Sequence, residues 1–150
     1  MRVARSARRG ATIVEFAIVA PLTLLLVIGI LVAGMGVFRF QQVAMLAREG
    51  SRWASVHGAD YASATGLAAA TADDVYNNAI KPQAVGLDLT RLTYSVTWDT
   101  NNSVTHTAAV NGKSVKVSNA VTVTVNYAWL PEAFLEGGTL SSTSRSIMSF

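Results

Sequence analysis

Glu15 is the residue in this chain with the strongest claim to chemistry. It stands between the N-terminal arginines Arg2, Arg5, Arg8 and Arg9 and the run 16–38, which holds no charge at all. A carboxylate at the edge of a membrane span is costly unless something stabilises it, so such a residue is a functional candidate by default. Gly10 closes the basic stretch, and Glu15 is the fifth residue after it. Other candidates are weaker. His57 and His106 are the only histidines; they fall in different elements and read as a helix-end and a sheet-face residue. Asp73 and Asp74 could bind a cation, but behind Thr71 they fit a helix N-terminus better. Asn101-Asn102-Ser103 matches a glycosylation acceptor pattern that arises often by chance. The sequence has no glycine-rich phosphate loop, no Gly-x-Ser-x-Gly, no metal-ligand cluster and no cysteine. The expectation is a protein that is not an enzyme and needs no metal or cofactor.

Composition narrows the class. Of 150 residues, 51% are hydrophobic and 14% charged, and the mean hydropathy is +0.35. That excludes disorder throughout, and the absence of cysteine excludes a disulfide scaffold. The net charge of +3 resides in residues 1–15, since residues 39–150 hold equal numbers of acids and bases. The sequence pI of about 9.6 is therefore a property of the N-terminus. With no basic face elsewhere, nucleic acid is not an expected partner.

The uncharged run Phe16 to Phe38 reads FAIVAPLTLLLVIGILVAGMGVF. As a helix it is about 34 Å long, enough to cross a hydrocarbon core of ~30 Å. It is apolar all round, unlike a surface helix. Its Pro21, Gly29, Gly34 and Gly36 are better tolerated in membrane helices than in soluble ones. Pro21 is the expected kink. The run is too long for the core of an ordinary cleaved secretory signal. Arginines precede it, so the positive-inside rule puts residues 1–10 in the cytoplasm and the C-terminal part outside.

Beyond Phe38 the pattern becomes amphipathic. Phe40, Val43, Ala44, Leu46, Ala47, Trp53, Ala54 and Val56 recur at helical spacing, which predicts one long helix, residues 11–56. His57-Gly58 is the expected stop, with Gly58 as a left-handed cap. Residues 60–80, rich in alanine, predict a second helix that Lys81-Pro82 ends. From residue 89 the period is two. Leu92 to Trp98, Val104 to Val110, Val115 with Val117, Val121 to Tyr127 and Thr139 to Met148 read as strands. Asn111-Gly112 is a type I′ hairpin signal. Leu130-Pro131 and Gly137-Gly138 bound the last strand. Trp53, Trp98 and Trp129 read as core or membrane-interface anchors. The fold class is α+β: a long N-terminal helix, membrane-spanning in its first half and outside the membrane and amphipathic in its second, then a short helix and a small antiparallel sheet of three to four strands. The divisions are 1–10, a basic leader; 11–56, the helix with its span at 16–38; and 57–150, an extracytoplasmic domain.

The segment RRGATIVEFAIVAPLTLLL, with AREGSRWASVHG at 47–58, resembles the TadE-like proteins of the Tad (Flp) pilus system. The late segments VTVTVNYAWLP and GTLSSTSRSIM are similar to that family's C-terminal part. The resemblance implies a pilin-like fold and a prepilin-type leader. It implies a prepilin peptidase as partner, cutting between Gly10 and Ala11. Many type IV pilins carry an aromatic residue at the position of Ala11; alanine there favours the Tad class. Glu15, followed by Phe16, would pair with the new α-amine of a neighbouring subunit, each charge offsetting the other's desolvation and fixing the axial register between helices.

The function so implied is that of a pseudopilin or minor pilin, in the bacterial cytoplasmic membrane or incorporated into a pilus. It would help initiate or cap pilus assembly by helix packing. Its partners would be other pilins, the assembly platform and the lipid bilayer. Two alternatives stand beside it: an unprocessed single-pass anchor presenting a ligand-binding domain, and an adhesin at a pilus tip.

Overall fold

The structure is a computed structural model that describes residues 6–130 and 137–150, with side chains from Thr12 onward. Arg2 and Arg5 of the expected leader, and Pro131 of the expected boundary before the last strand, lie outside the described residues. The chain divides into two compact units, Met1–Val37 and Phe38–Phe150.

Helix α1, Ser6–Val56, contains Pro21 and carries the whole apolar run. It is long and apolar enough to cross a membrane. In the first unit most of its side chains face outward, Val32 being buried: Ile13, Phe16, Ile18, Leu22, Leu25 and Ile30 are all exposed, Phe16 and Leu25 by 72% each. Water would not tolerate such a surface on a monomer. Lipid or neighbouring apolar helices must cover it.

In the second unit, residues 38–56 of α1 show the amphipathic pattern at work. Val43, Leu46, Ala47 and Ala54 are fully buried or nearly so. They meet Val121, Val123, Val125 and Tyr127 of a sheet in one core, joined by Val75, Ile80, Leu92 and Met148. Phe40 and Val56, expected on the same stripe, are exposed. Gly50 marks the closest approach of helix to sheet. A Cβ there would lie 3.1 Å from Val123 Cγ1 and 3.2 Å from Ile80 Cγ1. Ser51, buried beside it, lies 2.9 Å from Ser144 Oγ and accepts from Ser146 Oγ at 3.0 Å. Arg39, the first charge after the apolar run, donates to the Gly86 carbonyl at 2.7 Å.

The sheet holds β1 (Leu92–Trp98), β4 (Ala120–Trp129) and β5 (Gly138–Ile147), all antiparallel, in the order β1-β4-β5. Period-two alternation puts Val121, Val123, Val125 and Tyr127 on the helix side, while Thr122, Thr124 and Asn126 face away. The strands β2 (Thr105–Val110) and β3 (Lys113–Ser118) form a separate two-stranded ribbon. The expected single sheet is thus a three-stranded sheet with a hairpin set apart. At the hairpin tip Asn111 and Gly112 have φ of 52° and 75°, as a type I′ turn requires. Trp53, Trp98 and Trp129 all pack against the core.

Three helical expectations are corrected. Gly58 is extended, with φ −82° and ψ −161°, and is not a left-handed cap. Its need for glycine is steric: a Cβ there would overlap the carbonyl oxygens of Asn102 and Phe150 and the Met148 methyl. Residues 60–80 do not form one helix. Helix α2 (Ala59–Thr65) ends at Gly66, which adopts φ 73° and donates its N–H to the Ala62 carbonyl. A second start follows at α3 (Ala72–Val75), which continues as a π-helical turn, Tyr76–Ile80, into α4 (Lys81–Gln83). Nor does Lys81-Pro82 end the helix. Pro82 lies inside the continuous run from α3, which ends one residue later at Gln83.

Candidate functional site

The candidate processing residues Gly10 and Ala11 have helical backbone near the start of α1. Glu15 lies about one turn further on, exposed, with no ion pair among the described residues. One helical face carries Thr12, Glu15, Phe16 and Val19, which line a shallow groove. This spacing is the i, i+3, i+4 pattern that makes helix side chains neighbours. The groove continues through Ala20 and Thr23 to Val27. Pro21 lies inside α1 and offers no amide to the Ala17 carbonyl. Thr23 returns its hydroxyl to the Val19 carbonyl at 2.9 Å. The five candidate residues therefore share one short helical stretch, with a carboxylate near the head of an apolar sleeve.

The second conspicuous segment, Ala47-Arg48-Glu49-Gly50, has a structural role that sequence alone did not disclose. Ala47, Gly50 and Ser51 are buried, whereas Arg48 is exposed. The small residues let the helix lie close on β4, and the Ser51 hydroxyl joins it to β5. The only sequence signal was the small residues Ala47, Gly50 and Ser51 at helical spacing, interrupted by Arg48 and Glu49.

Around the helix ends, polar side chains act as caps. Thr71 Oγ1 accepts the Asp74 N–H at 3.2 Å, and Asp74 Oδ2 accepts the Thr71 N–H at 2.9 Å. This is the reciprocal capping box, so Asp74 serves the helix as expected. The Thr71 bonds hold the Asp74 carboxyl below its ordinary range, the backbone N–H foremost. Asp88 is lowered likewise by Thr90, through its hydroxyl first and then its N–H. Asp73 instead accepts the Tyr94 hydroxyl at 2.7 Å, beside a parallel stack of Tyr94 on Tyr76 with centroids 4.5 Å apart. That hydrogen bond is the main cause that raises the Tyr94 phenol above its ordinary value. No group of three or more metal-ligating side chains occurs among the described residues. His57 ends α1 stacked on Trp53, and His106 lies on β2.

Residues 10–52 match the model of the family described as TadE-like protein. Over that stretch the chain is similar to the TadE-like family, which supports a link to the Tad pilus system. The match takes in Gly10, Glu15, the apolar run and the Gly50 contact, and ends before the sheet begins. No curated protein and no solved structure matches the chain. The long apolar helix, within the stretch that matches this family, supports membrane anchoring.

Proposed function

We propose that this chain is a processed pseudopilin or minor pilin that helps initiate or cap a Tad pilus. A prepilin peptidase removes residues 1–10 and leaves Ala11 as the new N-terminus. The observation that carries the reading is the isolated carboxylate of Glu15, exposed near the start of a sleeve that is otherwise apolar on every side. In lipid or in a helix bundle that charge needs a cation, and among the described residues none pairs with it. The α-ammonium that cleavage creates on a neighbouring Ala11 has the right charge and depth. Gly10 suits the cut for two reasons. It lacks the side chain that would obstruct close backbone approach, and it lowers the cost of unwinding a helix start.

The test is the mature N-terminus, by intact mass and terminal peptide sequencing from membranes with and without the host prepilin peptidase. The expected result is a start at Ala11 that depends on the peptidase and fails when Gly10 is replaced by a bulky residue. A start at Met1 in both strains would overturn the proposal and favour an unprocessed membrane anchor. With Ala11 established, Glu15→Gln is expected to leave cleavage intact and to reduce recovery of the chain in sheared pilus fractions.

A further inference from the structure

Two features of the second unit take no part in the proposed function, and their chemistries match. The first is a cleft where α1 ends, lined by Trp53, His57, Tyr61, Leu67, Ala70 and Asp74 among others. Trp53 and His57 stack with centroids 3.9 Å apart, and Tyr61 tilts against His57 at 4.8 Å. His57 Nδ1 lies 2.8 Å from the Trp53 carbonyl oxygen. A carbonyl only accepts, so Nδ1 carries the proton and Nε2 of the neutral ring is left as an acceptor. Both Thr71 bonds fall on Asp74 Oδ2, and Oδ1 has none among the described residues. Aromatic rings, an imidazole acceptor and a carboxylate all attract a cation. Among the described residues no lysine or arginine lines the cleft. Leu67, at 61% exposed, adds an apolar rim.

The second feature is the β2–β3 hairpin. Its register sets Val110 opposite Lys113, Ala108 opposite Val115 and His106 opposite Val117. Residues directly opposite in an antiparallel pair share a face, so one face carries half-buried His106 and Ala108 with Val110, Val115 and Val117, and Lys113 at the tip. All three valines are exposed, as is Lys113, which makes no ion pair among the described residues.

We propose that the hairpin of one copy docks in the cleft of the next, with Lys113 beside Asp74 and the aromatic rings and the valine face against Leu67. The occupant is a second copy because this chain itself supplies both halves of the match, apolar to apolar and cation to carboxylate. The two surfaces differ, so the contact is heterologous: each copy that receives a hairpin still offers its own. Such contacts propagate in a line. The inference thus rests on the pilus-subunit reading and adds to it a contact between exterior domains.

The chain has no cysteine, which makes cross-linking specific. Leu67→Cys and Val110→Cys, singly and together, are expressed in the full chain in membranes and treated with a short bis-maleimide. The double variant is expected to give a ladder of covalent oligomers. The two single variants, expressed together, are expected to stop at a dimer. Adding Lys113→Glu to the double variant puts a second acid beside Asp74 and is expected to lower the cross-linked fraction by about fivefold or more; Lys113→Arg is expected to preserve it. Monomers only from the double variant, dimers from either single variant alone, or a foreign protein captured by the Leu67→Cys variant would each overturn the proposal. The mature N-terminus is read on the same membranes. A start at Ala11 without a ladder removes the docking contact alone, and a ladder with a start at Met1 removes processing alone.

Discussion

At the scale of single residues, two carboxylates and a phenol set the pH response of the second unit. Asp74 has a folded pKa below its ordinary 3.8, because Thr71 donates to its charged form. Its contribution to stability is therefore complete above that value and lost as pH falls through the folded pKa. Asp88 acts in the same direction. Tyr94 behaves oppositely: its bond to Asp73 favours the protonated phenol and raises its pKa above 10.0. Its contribution is complete below pH 10 and lost as pH climbs to the folded value. Thermal melts across pH should thus show a plateau with an acid and an alkaline shoulder. Asp73→Asn removes the charged acceptor. It is expected to bring the Tyr94 titration, followed by tyrosinate absorbance, back toward 10 while leaving the acid shoulder in place. Thr71→Ala should erase most of the Asp74 part of the acid shoulder and cost about 1 kcal/mol at neutral pH, as loss of a helix cap does. An unchanged acid shoulder in Thr71→Ala would show that the capping box does not set it.

At the scale of elements, three glycines separate what local sequence dictates from what packing dictates. Gly34 has open space where a Cβ would go, Gly50 has tight space, and Gly58 has none. In Gly50→Ala, helix propensity returns about 1 kcal/mol, which offsets the crowding of Val123 and Ile80. Gly50→Leu is expected to lose about 1–3 kcal/mol to overpacking. Gly58→Ala should be worse than Gly50→Ala, because two of its obstacles are backbone carbonyls that cannot swing aside. Urea unfolding of the Gly50 and Gly58 alanine variants checks the order: Gly50 near balance, Gly58 clearly destabilised. The same contrast explains what the sequence disclosed. The apolar run, the β1 and β4 alternation and the Asn111-Gly112 turn were legible because each is a local pattern with one geometric solution. Glu15 stood out for the same reason, a lone charge against a long uncharged run. The role of Gly58 was not legible, since its neighbours Asn102, Met148 and Phe150 are remote in sequence. The burial of Ser51 and Ser55 was not legible either: Ser51 pairs with Ser144 and Ser146, remote in sequence. The alanine-rich stretch 60–80 has helix propensity throughout, and only Gly66 and the Thr71 capping box break it into two starts. Separation of the hairpin from the sheet depends on strand order, which no alternation pattern encodes.

At the scale of the whole molecule, the two units make opposite demands on solvent. The first exposes Phe16, Leu25 and the rest of its apolar sleeve, and its one described acid, Glu15, is exposed too. The second closes a core whose members run from Val43 to Met148; none comes from the first unit. Each buried valine or leucine side chain in such a core contributes about 1.5–3 kcal/mol relative to exposure, and the sheet's other face is clothed in threonine, serine and asparagine. The second unit thus has its own reason to fold and its own wettable surface, while residues 13–37 have neither without lipid or neighbours. A chain reduced to residues 38–150 is therefore expected to be soluble without detergent and to unfold in one cooperative transition. Its midpoint should fall with Gly58→Ala. The full chain is expected to need detergent or lipid for solubility. Circular dichroism melts and sedimentation of both forms check this. A truncated chain that aggregates or melts without cooperativity would mean that the first unit supplies stability to the second, and that the core described here is incomplete without it.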